Sequence, residues 1–353
     1  MMFRSLVFAL ILFCSNSLNA QTPRYYAEVD FSNKSEPVVD QLFELLTKSL
    51  FQYYPYTSSE TDVWDVLRTS CVDPENLDNV VLVYGHDDTD EFTQNDRTRN
   101  IYSNQSGSCI GYWNREHVYP KSLANPYLIT SFPGAGTDVH NLLPCDCQMN
   151  SVRSNRLFVS GSGNSGTSGN GFYPGDEWKG DVARILMYMH IRYPSQCNAM
   201  EVAEGEITYD TTYSSMPDLL LKWNVEDPVS DLEVIRNNDN YAFQGNRNPF
   251  IDNPYLATLI WGGPTAKDTW GNLNEKSYYK ELNAYPTICK NELFITNYFK
   301  EENIDYSIVN IDGDVVQTGK TTYSIPLNEQ KAGTYVLRLG NDNSSKEITI
   351  YIQ

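Results

Sequence analysis

The sequence predicts an α+β protein in two folded parts, a larger domain of mixed helices and strands followed by a small all-β domain. Its 353 residues fit roughly two domains of ordinary size. Apolar residues recur at helical spacing within Val38–Leu50, whereas the chain after Tyr285-Pro286 consists of short alternating segments separated by turn signals. With 41% hydrophobic and 20% charged residues, the composition is that of a folded protein and argues against wholesale disorder.

The N-terminus has the order of a secretory signal peptide. Arg4 precedes an apolar stretch from Leu6 to Phe13, and a polar segment then ends at Ala20, the predicted cleavage position. We therefore divide the chain into residues 1–20 (signal peptide), 21–285 (the larger domain) and 286–353 (a β-sandwich). No later apolar run approaches the roughly 20 residues of a membrane span, so no span is predicted.

The larger domain begins with segments that we interpret as scaffold. Val38–Leu50 and Asp62–Leu67 predict helices, and the β-branched run in Asn79–Tyr84 predicts a buried strand. Further on, Asp176–Asp181 predicts the start of a helix with one apolar face. Ser160–Gly171, which is rich in glycine and serine, predicts a mobile surface loop.

The stretch from Tyr112 to Phe158 contains the residues that suggest chemistry. Its three informative segments are Trp113-Asn114-Arg115-Glu116-His117-Val118-Tyr119-Pro120-Lys121-Ser122, Thr137-Asp138-Val139-His140-Asn141-Leu142-Leu143-Pro144 and Asn150-Ser151-Val152-Arg153-Ser154-Asn155. Adjacent Glu116 and His117 cannot share a helical face, which excludes the zinc-helix pattern of paired histidines. On a strand they point to opposite faces, unless a bulge or a strand end re-aims one of them.

Phosphodiester hydrolysis needs three kinds of group that this stretch supplies. An imidazole such as His117 can take a proton from water near neutral pH. Hard oxygen ligands such as Glu116 and the amide of Asn150 suit magnesium or calcium, and such a cation neutralises charge that develops on the phosphate. A guanidinium such as that of Arg153 can hold phosphate oxygens in a bidentate fork.

These segments resemble the bacterial endonuclease I family, whose fold is that of the ββα-metal (His-Me finger) nucleases. The resemblance covers about 240 residues, and its further motifs are Asp62–Leu67, Asn79–Tyr84, Lys179–Arg184, Leu221–Pro228 and Asn246–Asp252. It implies a secreted, metal-dependent endonuclease that hydrolyses DNA, and also RNA, with little sequence preference, and that leaves 5′-phosphate ends. An exported surface-binding protein without catalytic activity is the alternative function.

Carried over residue by residue, the resemblance implies His117 as general base, oriented by a backbone carbonyl, and Glu116 and Asn150 as metal ligands. The implied metal is Mg²⁺, with Ca²⁺ or Mn²⁺ as alternatives. We add Arg153 to the catalytic residues as a phosphate-binding group. The alternative for Arg153 is a plain salt bridge. We assign Arg115, Arg247 and Asn248 to substrate binding. For Arg247 and Asn248 the alternative is a structural role at the Asn-Pro turn. Asp138 and His140 are expected to shape the site.

The cysteines leave two alternatives open. Removal of the signal peptide leaves six of them, Cys71, Cys109, Cys145, Cys147, Cys197 and Cys289. An even number in an exported protein permits disulfides, which sequence alone cannot pair. Cys145-Asp146-Cys147 also departs from the family pattern and suggests either a disulfide near the site or, with His117 and His140, a zinc site.

The C-terminal segment resembles the sorting domain of type IX secretion cargo. The matching pieces are Asp305–Asn310, Gly313–Val316, Ala332–Leu337 and a β-rich terminus that lacks a basic final residue. The resemblance implies the type IX secretion machinery as a partner and a secreted or cell-surface protein exported through the periplasm. We expect a monomer. A generic carbohydrate- or protein-binding sandwich is the alternative.

Charge is unevenly distributed along the chain. The net charge of −19 argues against a nucleic-acid partner, which normally leaves a basic footprint. Residues 112–160, however, hold 4 basic and 3 acidic residues, whereas residues 21–111 hold 6 and 16. The motif-bearing stretch is therefore near neutral, and we expect weak resting affinity for nucleic acid that depends strongly on the metal and on ionic strength.

Overall fold

The computed structural model describes two sets of elements, each with its own hydrophobic core. The described residues are 23–31, 36–104, 109–209, 215–271, 273, 282–296, 304–327, 330–341 and 344–353. The predicted signal peptide lies outside them. One core is built from residues between Tyr26 and Leu273, and the second from residues between Leu282 and Ile352.

The described helices all lie in the first part of the chain. They are α1 (Glu36–Ser49), α2 (Val63–Ser70), α3 (Cys147–Arg153), α4 (Lys179–Arg192), α5 (Asp218–Glu226), α6 (Asp231–Gln244), α7 (Pro249–Asp252) and α8 (Tyr255–Trp261). The first two confirm the predicted helices, and Asp62 caps α2 in a capping box with Asp65. Within the described residues, no helix has both the length and the apolar character that crossing a bilayer requires.

Short antiparallel sheets accompany these helices. Their strands are β1 (Val72–Asp73), β2 (Asn76–Val81), β3 (Thr98–Asn100), β4 (Trp113–His117), β5 (Leu142–Asp146), β6 (Gly166–Ser168) and β7 (Gly171–Tyr173). They form the sheets β1-β2-β3, β4-β5 and β6-β7. The strand predicted over Asn79–Tyr84 is shifted, because β2 ends at Val81 and Val83 instead forms a bridge with Cys145 of β5.

Two local predictions differ from the structure. Helix α4 is buried on every side from Gly180 to Arg192, instead of presenting one apolar face. Its polar residues are accommodated by partners, since Arg184 forms a buried ion pair with Glu233. Part of the segment predicted as a mobile loop forms β6 and pairs with β7.

The C-terminal part is the predicted β-sandwich. Its strands are β8 (Asn283–Tyr285), β9 (Ile288–Cys289), β10 (Glu292–Thr296), β11 (Ile304–Asn310), β12 (Val315–Thr321), β13 (Ser324–Pro326), β14 (Gly333–Asn341) and β15 (Ser344–Ile352). They form sheets of order β13-β10-β8 and β12-β11-β14-β15-β9, and both contribute to the second core. Because β8 pairs with β10, the strands begin just before the predicted boundary at residue 286.

The buried Arg184–Glu233 pair generates a stability prediction. Two of its contacts measure 2.6 and 2.7 Å, so Glu233→Gln removes the nearest counter-charge of a buried guanidinium and leaves Asp181, at 3.6 Å, as its remaining ion-pair partner among the described residues. We expect a loss of about 3 to 5 kcal/mol in the free energy of unfolding. All 6 tryptophans precede residue 283, so their fluorescence during urea unfolding reports this domain.

Glu226→Gln is the matched control for that variant. Glu226 pairs with Lys179 at 2.9 Å, but the Glu226 side chain is 53% exposed, and we expect a loss below about 1 kcal/mol. Equal losses for the two variants would contradict the central role of the buried pair.

His190 generates a prediction for pH. Burial lowers its pKa to about 4, and Nδ1 accepts a hydrogen bond from the Ala199 N–H, which only a neutral ring can do. Below its ordinary pKa of about 6.5 the unfolded chain binds a proton that the folded chain excludes, so this residue destabilises the fold as pH falls. Between pH 7.5 and 4.5 we expect wild type to lose about 2 to 3 kcal/mol relative to His190→Gln. Urea unfolding of both proteins measures it, and parallel pH profiles would contradict it.

Candidate active site

The motif-bearing residues lie on a β-β-α unit. Strands β4 and β5 pair antiparallel, with Glu116 opposite Leu143 and His117 opposite Leu142. Helix α3 follows β5 directly, because Asp146 ends the strand and caps the helix by accepting hydrogen bonds from the backbone of Gln148 and Met149. The unit therefore brings the end of β4 and the side chains of α3 to one place.

Alternation along β4 places Glu116 on the face toward α3. Asn114 lies two residues earlier and so shares this face, and its Oδ1 accepts a hydrogen bond of 2.7 Å from Nδ2 of Asn150. Glu116 is buried, and its Oε1 accepts a hydrogen bond of 3.0 Å from the Tyr84 hydroxyl. Burial raises the pKa of Glu116 to about 7, although Arg153 and Tyr84 oppose the shift.

His117 lies at the end of β4 on the other face. Its Nε2 is 2.8 Å from the backbone oxygen of Gly136, and its ring stacks on Tyr56 with a centroid distance of 5.6 Å. Because a carbonyl only accepts, Nε2 carries the proton and Nδ1 keeps its lone pair. Burial lowers the pKa of His117 to about 3, with the Gly136 hydrogen bond opposing the shift, so the ring is neutral. A backbone carbonyl thus orients the ring, as expected.

Arg153 links α3 to both residues of the pair. Its side chain is 1% exposed, and Nη1 lies 3.2 Å from Oε1 of Glu116. The guanidinium also donates to the carbonyls of His117, at 3.1 Å, and Val118, at 2.8 Å. These contacts match the salt-bridge alternative more closely than phosphate binding.

The residues assigned to substrate binding lie in internal contacts. Arg115 is held between the rings of Tyr56 and Trp64, with its guanidinium carbon 3.4 and 4.0 Å from their centroids. Arg247 forms a two-pronged ion pair with Asp252. Asn248 is fully buried and caps α7.

No described contact joins Arg247 or Asn248 to the β4–α3 unit. Their contacts are those of the structural alternative, in which they pin the Asn-Pro turn. Asp138 is also enclosed, since it accepts hydrogen bonds from Tyr188 at 2.8 Å and Tyr193 at 2.6 Å. His140 is fully buried and contacts the Asn246 backbone oxygen.

Comparison with known proteins identifies the family of the chain. Residues 38–255, more than half of the chain, match the Endonuclease I family. The chain belongs to the endonuclease I family. Two curated relatives, each named extracellular ribonuclease, come from Bacillus subtilis (strain 168) and Bacillus amyloliquefaciens. Each is 38% identical over 212 residues, or 58% of this chain and 68% of the relative.

This endonuclease I chain is therefore a nuclease, a phosphodiester hydrolase, and the alternative of an inactive binding protein is set aside. Residues 283–353 match the secretion system C-terminal sorting domain. That match confirms the sorting-domain resemblance and implies export to the cell surface or beyond it.

The side chains of the endonuclease I site fit a hard divalent cation. Glu116 offers Oε2 and Asn150 offers Oδ1, and neither oxygen has a hydrogen-bond partner among the described residues. One carboxylate and one amide oxygen suit an ion that keeps several waters and takes further oxygens from a substrate phosphate. The family is typically metal-dependent, in agreement with this donor set.

The zinc alternative is wrong. Cys147 forms a disulfide with Cys109 and is no longer a thiolate donor. Within the part of the chain that the structure describes, no group of three or more histidine, cysteine, aspartate or glutamate residues could hold a metal ion. The other described cysteines, Cys71, Cys145, Cys197 and Cys289, are buried free thiols. The disulfide instead ties the segment before β4 to the first residue of α3.

Sequence reasoning missed three residues of the endonuclease I site. Asn114 was detectable, because it alternates with Glu116 on a strand. Gly136 has a tertiary role, since a Cβ there would lie 2.0 Å from the Ile129 oxygen. Tyr84 was assigned to a scaffold strand, but its backbone leaves the strand at φ 70°, which is unusual for a residue with a side chain.

The Tyr84 hydroxyl generates a prediction for metal use. Tyr84→Phe removes a donor to Glu116, and such supporting contacts commonly change metal affinity roughly 10- to 100-fold. We expect the Mg²⁺ concentration for half-maximal nuclease activity to rise by about tenfold. Tyr119→Phe is the control, because its hydroxyl donates to the Asn198 carbonyl. The same rise in both variants would contradict a specific role of Tyr84.

Proposed function

We propose that this endonuclease I protein is a secreted, metal-dependent, non-specific endonuclease that hydrolyses DNA and RNA to leave 5′-phosphate ends. The observation that carries the proposal is the arrangement at the end of β4. His117 is fixed there by the Gly136 carbonyl, and the adjacent Glu116 shares a strand face with Asn114, whose side chain bonds to Asn150. The site thus has a base on one face of the strand and hard oxygen ligands on the other.

His117 acts as the general base in this proposal. Its proton sits on Nε2 and is directed at Gly136, so Nδ1 can take a proton from the attacking water. Because burial keeps the ring neutral, no proton has to leave it first at physiological pH. Stacking on Tyr56 and the Gly136 hydrogen bond hold the ring plane while the proton is transferred.

Glu116 and Asn150 are the proposed metal ligands, with Mg²⁺ as the expected ion and Ca²⁺ or Mn²⁺ as alternatives. A bound divalent cation would stabilise charge on the phosphate and on the leaving 3′ oxygen. Arg153 holds the Glu116 carboxylate and the backbone behind it in place. In this role Arg153 acts through Glu116.

Two observations bear on substrate and location. The relatives are named extracellular ribonucleases, which supports RNA as a substrate beside DNA. The sorting-domain match supports release through the type IX machinery after export by the N-terminal signal peptide. We propose residues 1–20, 21–285 and 286–353 as signal peptide, catalytic domain and sorting domain, and a monomer as the active form.

His117→Ala tests the catalytic base. Loss of a positioned base typically costs 10²- to 10⁴-fold in rate, and we expect about a thousandfold slower nicking of a supercoiled plasmid and slower cleavage of RNA. His190→Ala is the matched control, because His190 lies on α4 away from the β4–α3 unit. Unchanged rates in His117→Ala would refute the mechanism.

Metal removal tests the cofactor. Treatment with EDTA should abolish cleavage of both substrates, and Mg²⁺ or Mn²⁺ should restore it. Elemental analysis of the purified protein should find no stoichiometric zinc, because the described residues provide no zinc-type cluster. Full activity in EDTA would exclude the proposed role of Glu116 and Asn150.

Deletion of residues 283–353 tests the export route. The truncated protein retains the first core and should accumulate in the periplasm as an active nuclease, whereas the full chain appears outside the cell. Cell fractionation followed by a nuclease assay measures how the activity is distributed between the periplasm and the medium. Release of the truncated protein at the full-length rate would contradict the sorting role.

A further inference from the structure

The segment between β4 and β5 exposes three large apolar side chains. Tyr127, Ile129 and Phe132 are 51%, 54% and 69% exposed. We call residues 121–133 the aromatic loop. Neither the general base nor the metal ligands use this loop, and its exposed rings are not needed for the core.

The aromatic loop is joined to the catalytic base through one residue. The backbone of Ile129 packs against Gly136 so closely that a Cβ on Gly136 would lie 2.0 Å from the Ile129 oxygen. The Gly136 oxygen in turn contacts Nε2 of His117 at 2.8 Å. The backbone of the aromatic loop therefore lies next to the residue that orients the catalytic imidazole.

Tyr127 is held on both sides. Leu128 is fully buried, and its N–H donates to the Lys121 carbonyl at 3.2 Å. On the other side, the Gln196 side chain donates to the Pro126 carbonyl at 2.8 Å. The backbone on both sides of Tyr127 is thus held in place, so little backbone entropy is lost when a ligand stacks on the exposed ring.

Charge in this region is complementary to a phosphate backbone. Lys121 is the only charged residue in 118–137, in a chain of net charge −19. Its ammonium lies 5.9 Å from the Tyr127 ring centroid.

We infer that Tyr127 stacks on an unpaired nucleobase next to the scissile phosphate while Lys121 contacts the phosphate backbone, so that the enzyme prefers single-stranded nucleic acid. This inference rests on the proposed nuclease function and specifies its substrate. Base stacking on aromatic side chains is the usual source of sequence-independent affinity for single strands. In a duplex the base faces are already covered by their neighbours, so Tyr127 gains nothing there.

Cleavage kinetics on a matched single strand and duplex test the inference. One oligonucleotide is presented to the full chain as a single strand and as a duplex with its complement, with Mg²⁺ present. Tyr127→Ala should raise KM for the single strand roughly 5- to 100-fold, the range of one stacking contact, and change KM for the duplex less than about twofold. Tyr127→Phe keeps the ring and should stay within about twofold of wild type on both.

Tyr323→Ala is the control for loss of an exposed aromatic ring. Tyr323 is 59% exposed and belongs to the C-terminal sandwich. This variant should match wild type on both substrates. Equal losses on single strand and duplex in Tyr127→Ala would show a merely structural role, and unchanged KM values would show no role; either result overturns the inference.

A binding experiment separates this inference from the proposed chemistry. Fluorescence anisotropy of a labelled single strand in EDTA measures affinity without cleavage. Tyr127→Ala should weaken binding to the intact strand but not to a strand of abasic residues, which has no base to stack. If wild type binds both strands equally, the stacking inference fails even where the enzyme cuts DNA. If wild type cuts nothing yet discriminates between them, the nuclease mechanism fails and the stacking inference stands.

Discussion

The Arg153 guanidinium is the interaction on which the site depends, because it fixes α3 against both residues of the Glu116-His117 pair. It donates to the Glu116 carboxylate, and water cannot replace this partner because the Arg153 side chain is 1% exposed. It also donates to the His117 and Val118 carbonyls, at the end of β4, where the imidazole side chain points to the opposite strand face from Glu116. A buried ion pair of this kind contributes little net stability, but removal of one partner leaves an unpaired buried charge and is strongly destabilising.

The adjacent Glu116 and His117 illustrate what sequence alone could predict. Neighbouring side chains on a strand point to opposite faces, so their order already separated a ligand face from a base face. The structure agrees, with Asn150 on one side and Tyr56 and Gly136 on the other. The two helices at the start, the β-sandwich at the end and the β-β-α order were equally predictable, because each follows from local periodicity or from a motif.

Features that depend on tertiary contacts were not predictable in this way. The Asn-Pro turn already suggested a structural role for Arg247 and Asn248. Sequence does not show, however, that Trp64 packs on Arg115 or that Asp252 pairs with Arg247. Helix α4 was misjudged for the same reason: its charged residues imply an exposed face until Glu233 is found opposite Arg184. The Cys109–Cys147 pairing likewise depends on which of many loops returns to α3.

Because arginine side chains near the site are engaged in contacts inside the protein, few cations are free to bind the phosphates of a nucleic acid. Salt dependence of nucleic-acid binding scales with the number of phosphates that free cations neutralise. Arg115 and Arg153 are engaged inside the protein, and Lys121 is the one charged side chain of the loop segment 118–137. Few counterions are then released on binding, and added salt also screens repulsion from the acidic remainder of the chain. Non-ionic contacts and the divalent cation are then the main sources of affinity, which favours a gentler dependence on ionic strength than the strong one expected from the charge distribution.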